Sequence, residues 1–393
     1  MSGEPKTLEG VSLFIVDCLH STAPTVDEGY PLIRTPNVGR GRLELDDAFR
    51  VTTDTYDAWT RRAVPQDDDL ILAREAPAGN VAIIKNGRKV CLGQRTVLIR
   101  PDCEAVDPDF LCYYLLAPRQ QAFLLSGATG VTAAHVNMKD IRRLPLHGLP
   151  EIDAQRRAGS CLTAYDDLIA NNRRRMALLE KAARQLYEEW FVRLRFPGHE
   201  HARTASGIPE AWERRPLGEL AHILMGQSPE SKFYNEVGEG LPFHQGVTDY
   251  GDRFVSNRTF TTAHTRIANA GDILCSVRAP VGRLNITLDK IVIGRGLAAL
   301  RNRRGNQSFL FHQLKTRFFK EDLIGTGAIF ASVTKAEFEN QRLLTPNTDL
   351  IRAFEEISMP IDDQLRTLFL QNQRLQSARD ILLPRLMSGE IAV

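Results

Sequence analysis

Glu210 and the run Glu230-Ser-Lys232 are the side chains whose types and spacing come nearest to catalytic chemistry. Paired carboxylates can hold Mg²⁺ while a lysine stabilises developing negative charge, the arrangement of a metal-dependent nuclease. The fit is poor, because Pro209-Glu210 stands where such sites carry Pro-Asp and the segment is rich in turn residues, which equally reads as a solvated loop. His199-Glu-His201 follows Pro197-Gly198 without a third ligand nearby, so it reads as a surface turn. There is no Gly-x-x-x-x-Gly-Lys-Ser/Thr phosphate loop. Nor is there an Asn/Asp-Pro-Pro-Tyr/Phe motif of the kind that holds a flipped adenine. Gly39-Arg-Gly-Arg42 and Gly294-Arg-Gly296 lack the spacing of a dinucleotide fingerprint. They suit tight turns that bring backbone and guanidinium near phosphate.

The elements that would position such residues occur twice. Asp69-Leu-Ile-Leu-Ala-Arg-Glu-Ala-Pro-Ala-Gly79 returns as Asp272-Ile-Leu-Cys-Ser-Val-Arg-Ala-Pro-Val-Gly282, from 69 to 272, a displacement of 203. Tyr30–Arg34 returns as Leu241–Gln245, Lys89–Arg100 as Lys290–Arg301, and Thr129-Gly130 as Thr326-Gly327. Self-similarity near half the chain length means two copies of one architecture related by a pseudo-two-fold. Such a protein suits a two-part target, as paired half-sites suit dimeric DNA-binding proteins. Short β-rich runs (11–16, 81–85, 96–100) precede a helical pattern at 110–116 in the first copy. Runs at 271–277, 284–288 and 297–301, then a helix at 309–319, repeat that order. Strands and helices without regular alternation predict α+β domains.

Two long helices follow the copies. The first carries the stripe Leu162, Tyr165, Ile169, Asn172, Met176, Leu179, Ala183, Leu186, Trp190; the second carries Ile361, Leu365, Leu368, Asn372, Leu375, Arg379, Leu382. Steps of three and four mark the seam of a coiled coil. Asn172 falls at a d position and Asn372 at an a position, which share layers in an antiparallel pair, so the spacing predicts two antiparallel helices with these amides facing. The alternative places either Asn at the edge of the stripe, in water. Gly159-Ser160 and Pro360 predict a break or kink early in each helix. Helix from 152 to 192 would measure roughly 60 Å, enough to act as a ruler over one or two turns of duplex.

At 393 residues the chain can hold several cores, and a hydrophobic content of 43% with 25% charged residues is ordinary for a globular protein. A net charge of +2 neither excludes nor demonstrates a basic face. Six scattered cysteines without Cys-x-x-Cys read as reduced thiols. With no signal pattern and no run long enough to span a bilayer, a cytoplasmic protein without membrane contact is expected.

Leu186-Tyr-Glu-Glu-Trp-Phe-Val-Arg-Leu-Arg-Phe-Pro-Gly-His-Glu200, then Gly207-Ile-Pro-Glu-Ala-Trp212 and Leu217-Gly-Glu-Leu220, resemble the central region of type I restriction–modification specificity (S) subunits. Asn372–Ile391 resembles the C-terminal region of the same family, and the order of parts agrees along the whole chain. The resemblance implies target recognition domains at 1–150 and 206–348, a spacer helix with linker at 151–205, and a second spacer helix at 349–393. It implies double-stranded DNA with a bipartite target as one partner. Two methyltransferase (M) subunits and restriction (R) subunits are the others. S-adenosylmethionine, ATP and Mg would sit on those subunits, with no cofactor, metal or catalytic residue in this chain. A self-contained nuclease and a helical scaffold without sequence-specific DNA binding are the rival readings.

Base reading in the major groove takes forked or amide side chains: Arg for guanine, Asn or Gln for adenine. Positions recurring in both halves are the candidates. Arg34 and Asn37 match Gln245 and Thr248, while Arg74 and Arg278 lie in the two Ala-Pro repeats. Gln94 and Arg95 match the neighbourhood of Arg295, and Lys139 and Lys335 follow the Thr-Gly pairs, where helix N-termini favour phosphate. Each reads equally as a surface charge or an internal ion pair. Arg173-Arg-Arg175 cannot face one partner from consecutive helical positions, and reads as a solvated face or a methyltransferase contact.

Overall fold

The computed structural model describes residues 6–126, 135–318 and 333–391. Two compact units divide the chain, 1–173 with 370–393 and 174–369. The division falls inside both long helices, so each unit contains one α+β domain together with a segment of each helix.

In the first unit β1 (Lys6–Thr7), β2 (Ser12–Asp17), β3 (Tyr30–Ile33), β4 (Gly41–Arg42), β5 (Arg50–Val51), β6 (Leu70–Ala73), β7 (Val81–Ile83), β8 (Cys91–Leu92), β9 (Thr96–Pro101) and β10 (Pro145–Leu146) build the sheets. Their orders are β2-β9-β6-β7-β4, β5-β3-β8 and β1-β10. Helices α1 (Thr53–Trp59), α2 (Pro108–Leu116), α3 (Pro118–Ser126) and α4 (Met138–Arg142) are interspersed before α5 (Ile152–Tyr187). α2 starts where its sequence says it should: Asp107 accepts the N–H of Phe110 at 2.8 Å and Pro108 occupies the first turn. Its apolar face closes the core of the large sheet with Leu162, Leu383, Leu386 and Met387 of the long helices.

The second unit repeats this frame. After the hairpin β11 (Thr204–Ala205) and β12 (Ile208–Pro209) come β13 (Glu213–Pro216), β14 (Ala221–Met225), β15 (Tyr234–Asn235), β16 (Leu241–His244), β17 (Phe260–Thr261) and β18 (Ile267–Ala268). β19 (Ile273–Ser276), β20 (Leu284–Ile286), β21 (Ile291–Ile293), β22 (Leu297–Asn302) and β23 (Arg342–Thr345) complete the strands, with α6 (Leu217–Leu220), α7 (Gln307–Phe318), α8 (Lys335–Glu339) and α9 (Thr348–Met387). The order β14-β22-β19-β20 copies β2-β9-β6-β7, and the parallel pair β16·β21 copies β3·β8. Even the buried charge is copied: Asp69 takes Arg100 at 2.7 Å as Asp272 takes Arg301 at 2.6 Å. The tips of the β6–β7 and β19–β20 hairpins both hold a cis proline, Pro77 and Pro280.

The striped faces turn inward within each unit. In the first, Asn172 Nδ2 donates to Asn372 Oδ1 at 3.0 Å and Asp166 meets Arg379 at 2.6 Å. Positions rise along α5 as they fall along α9, so the two segments run antiparallel there. In the second, Tyr187, Trp190, Phe191, Phe196 and Trp212 gather on Phe309 and Phe354. The Leu186–Trp212 string is thus an aromatic core, reached through a π-turn at Glu188–Val192 that ends α5 before the expected 192.

Of the expected break or kink, the break does not occur: α5 is continuous through Gly159-Ser160, and α9 through Pro360. Gly159 serves close packing instead, since a Cβ there would lie 2.7 Å from the Phe110 nitrogen. Pro360 is exposed, and buried Ser358 and Leu365 on either side hold the helix against the core.

Glu355 of α9 accepts the Phe309 N–H at 2.7 Å in the first turn of α7, while its Oε2 is buried without a partner. Burial pushes its carboxyl up to about 7. A carboxyl raised in the folded state binds its proton more tightly there than in the unfolded chain. Its contribution is therefore complete below the unfolded value near 4.5 and lost as pH rises through 7. Buried His312 nearby, pulled down to about 3 by desolvation and then by Arg253 and Lys315, opposes this trend as pH falls. Comparison of two chains that both keep His312 cancels that effect. Glu355→Gln is expected to raise the stability of the second unit at pH 8 by about 1–2 kcal/mol after solvent screening, with the gain vanishing near pH 4.5. Urea unfolding across that window measures it, and an equal gain at both ends would contradict the assignment.

Candidate nucleic-acid interface

Four segments converge in each unit, held by main-chain hydrogen bonds that recur in register. Gly93 N–H donates to Ile33 O at 2.8 Å, as Gly294 does to His244 O at 2.8 Å. Arg74 N–H donates to Arg95 O at 2.9 Å, as Val277 does to Gly296 O at 2.9 Å. Val136 donates to Arg74 O at 3.1 Å, as Val333 does to Val277 O at 2.9 Å. These bonds tie together the segment after β3 or β16, a hairpin tip, the β8–β9 or β21–β22 turn, and the approach to α4 or α8. The glycines at the tips, Gly79 and Gly282, have φ of 89° and 86° and close each tip onto Ala73 and Ser276. The backbone is shared, so the side chains set the difference between the two faces.

In the first unit two candidates are committed to the fold. Asn37 is buried; its Oδ1 accepts from Arg34 N at 3.0 Å and its Nδ2 donates to Glu44 O at 3.2 Å. Arg74 is 7% exposed, with Nε on Val136 O at 2.8 Å and a terminal nitrogen on His135 Nε2 at 2.8 Å. Arg34 lies 4.0 Å over the Phe49 ring, with its Nε buried and unpartnered. Gln94 donates to His20 O at 3.3 Å. Arg95 is exposed at φ 66°, with Nε 2.8 Å from Glu75 Oε2. Lys139 is exposed on the short α4. The Thr129-Gly130 and Thr326-Gly327 landmarks lie outside the described residues.

In the second unit Gln245 is exposed, and its Oε1 accepts from Ser228 Oγ at 2.8 Å. Ser228 Oγ in turn accepts the Arg295 N–H at 3.2 Å. Thr248, Arg278 and Arg295 are exposed. Lys335 is exposed and pairs with Glu339 at 3.4 Å. Beneath Gln245, His244 is fully buried on Asn257 Oδ1 at 3.0 Å, and desolvation pulls its ring below the usual histidine range. The register of the main-chain bonds aligns Gln94 with Arg295 and Arg95 with Gly296, and Glu75 with Arg278.

Two residues escaped sequence reasoning. His135 Nδ1 lies 2.5 Å from Glu75 Oε1, so Glu75 joins His135 to Arg95. Glu75 stood in the repeated string beside Arg74, but nothing in the sequence links it to a histidine sixty positions away. Glu230 and Lys232 pair with each other at 2.7 Å and are 72% and 64% exposed, and among the described residues no hydrogen bond or ion pair joins Glu210 to them. Among the described residues no cluster of three or more His, Cys, Asp or Glu side chains is placed to hold a metal. No described helix is long and apolar enough to cross a membrane. Arg173, Arg174 and Arg175 are all exposed.

One α+β frame used twice, with differing side chains on the same loops, defines a tandem-repeat protein. The family model described as type I restriction modification DNA specificity domain matches residues 20–181 and again 209–350, and the chain belongs to that family. A putative type I restriction enzyme MjaX specificity subunit of Methanocaldococcus jannaschii is 28% identical over 374 residues, covering 93% of this chain and 88% of its own. The MjaIX specificity subunit of the same organism is 23% identical over 340 residues, 82% of this chain and 78% of its own. The crystal structure of a type I restriction–modification S subunit from M. genitalium shares the fold, with a TM-score of 0.61 at 16% identity over 97% of this chain and 94% of its own.

Arg74 and Arg278 separate fold from face. Arg74→Ala is expected to cost about 2–4 kcal/mol, because it leaves the Val136 carbonyl and His135 without their buried donor. Arg278→Ala is expected to stay within about 0.5 kcal/mol of the parent chain. Equilibrium unfolding decides, and a neutral Arg74→Ala would mean that its bonds do not hold the loops together.

Proposed function

We propose that the chain is the DNA-sequence-specificity subunit of a type I restriction–modification enzyme. Each unit reads one half of a bipartite double-stranded target through the loops that converge beside Arg34, Arg95 and Lys139, or beside Gln245, Thr248, Arg278, Arg295 and Lys335. The helices α5 and α9 set the separation of the half-sites and dock two methyltransferase subunits for adenine methylation. Restriction subunits add ATP-dependent cleavage. The chain itself supplies specificity and no catalytic group, while S-adenosylmethionine, ATP and Mg belong to the partner subunits.

The observation that carries this reading is the recurrence of one hydrogen-bonded loop frame with different exposed side chains. A conserved backbone fixes where a duplex would be met, and the exchanged side chains change which bases are favoured. Each good bidentate contact discriminates by about 1–3 kcal/mol. The antiparallel register in the first unit supports a spacer of one length, because the Asn172–Asn372 bond is lost by any slip.

Mapping methylated adenines in the source genome with and without this chain tests the proposal. Methylation is expected only within a two-part sequence with a fixed number of unspecified base pairs between its halves. Inserting one base pair into that gap is expected to abolish it. The purified chain incubated with DNA and Mg²⁺ is expected to leave it intact. Cleavage by the chain alone would favour the nuclease reading, and binding without sequence preference would favour the scaffold.

A further inference from the structure

Arg95 occupies an unusual setting for an exposed cation. Its side chain is 60% exposed, yet its position is fixed from two directions. Its carbonyl accepts the Arg74 N–H at 2.9 Å, and its Nε lies 2.8 Å from Glu75 Oε2. Glu75 is itself held, because its other oxygen meets His135 Nδ1 at 2.5 Å. His135 Nε2 faces a terminal nitrogen of Arg74 at 2.8 Å, and Arg74 is buried with Nε on the Val136 carbonyl. An arginine nitrogen can only donate, so His135 Nε2 is the acceptor and Nδ1 carries the proton toward Glu75. The chain of contacts runs from a buried arginine, through histidine and carboxylate, to an exposed guanidinium. No hydrogen bond from the terminal nitrogens of Arg95 occurs among the described residues.

We propose that Arg95 reads a guanine in the half-site of the first unit, with Glu75 as its positioning residue braced by His135 and Arg74. This rests on the function proposed above. Guanine offers two acceptors, O6 and N7, to one planar fork in the major groove. A fork oriented by a carboxylate loses less freedom when it meets that pair. The same carboxylate weakens attraction to phosphate, which needs charge and not orientation. A residue placed for backbone contact would gain nothing from Glu75; a base reader gains direction. The second unit has no such pair, since Arg278 stands in place of Glu75 and Gly296 in place of Arg95. A Cβ at Gly296 would meet the Gln245 carbonyl oxygen at 2.5 Å, so that position is closed to a side chain. The two half-sites are therefore read by different chemistry.

Selection of the full chain on randomised duplexes tests this, comparing the parent with Arg95→Lys, Glu75→Gln and Arg278→Lys. Arg95→Lys keeps the charge but loses the fork. The parent is expected to select a two-part site with a fixed G·C pair in one half. Arg95→Lys should lower the preference for that pair by roughly 5- to 150-fold, leaving the other half unchanged. Glu75→Gln should relax the same pair while strengthening salt-sensitive binding to unrelated DNA, a readout that a purely structural role would not give. Arg278→Lys should leave that pair untouched. Should Arg95→Lys and Glu75→Gln, both folded by thermal melting, retain the parental site or weaken every position alike, the assignment is overturned. A parent chain that selects no two-part site would instead overturn the reading of function on which it stands.

Discussion

In each unit a buried ion cluster ties the recognition domain to both long helices, and the rest of the architecture depends on these junctions. In the first unit Asp166 of α5 is 4% exposed and accepts both the Tyr113 hydroxyl of α2 at 2.7 Å and Arg379 of α9 at 2.6 Å. In the second, Arg253 of the recognition domain is 2% exposed and reaches Glu180 of α5 and Asp362 of α9, each at 2.5 Å. The Phe311 ring lies 4.4 Å beneath that guanidinium. Burying charge costs several kcal/mol per ion, which mutual attraction only roughly offsets. Removing one member leaves the others desolvated and unpaired. Such junctions add little net stability, but they penalise every docking geometry except the one that pairs all their charges. The apolar stripes alone would tolerate a slip along the helix; the charges do not.

The division of labour then follows from ordinary packing. Strands with the same burial pattern and the same Asp–Arg pair across neighbouring strands generate the same frame in both units. The loops held by that frame carry no core residues at their exposed positions, so their side chains are free to differ without loss of fold. Arg95 beside Glu75 and Arg295 beside Gln245 and Ser228 are two outcomes on one backbone. The strings through which the sequence resembles its family lie elsewhere, in the aromatic core around Phe191 and in Leu383, Leu386 and Met387 against the first sheet. Those positions are constrained by packing, whereas the exposed loop positions are under no such constraint.

Much of the frame was legible because it repeats. The recurring Asp69–Gly79 and Asp272–Gly282 strings mark hairpins, and steps of three and four mark the inward faces of α5 and α9. Their spacing also placed Asn172 and Asn372 in a shared layer, where their amides bond. The candidate interface was less legible. Sequence placed the candidates on segments that converge but left open whether each side chain is free or paired; Arg74 and Asn37 are both spent on backbone groups. His135 and Glu75 meet only because the fold brings distant segments together, and Arg253 meets partners 73 and 109 positions away. Local spacing carries no trace of such contacts. No break occurs at Gly159 or Pro360, because burial of the helix face outweighs local propensity.

Replacing Arg253 alone, and then together with its partners, tests the junction most directly. Urea unfolding of the full chain would be followed for Arg253→Met, for Glu180→Gln with Asp362→Asn, and for the three changes combined. Arg253→Met is expected to lose about 3–5 kcal/mol, most of it recovered in the triple variant, where the only charge that loses a partner is the partly exposed Lys315, 3.6 Å from Glu180. A near-neutral Arg253→Met, or losses that simply add, would show that buried charge does not govern how the recognition domain sits on its helices.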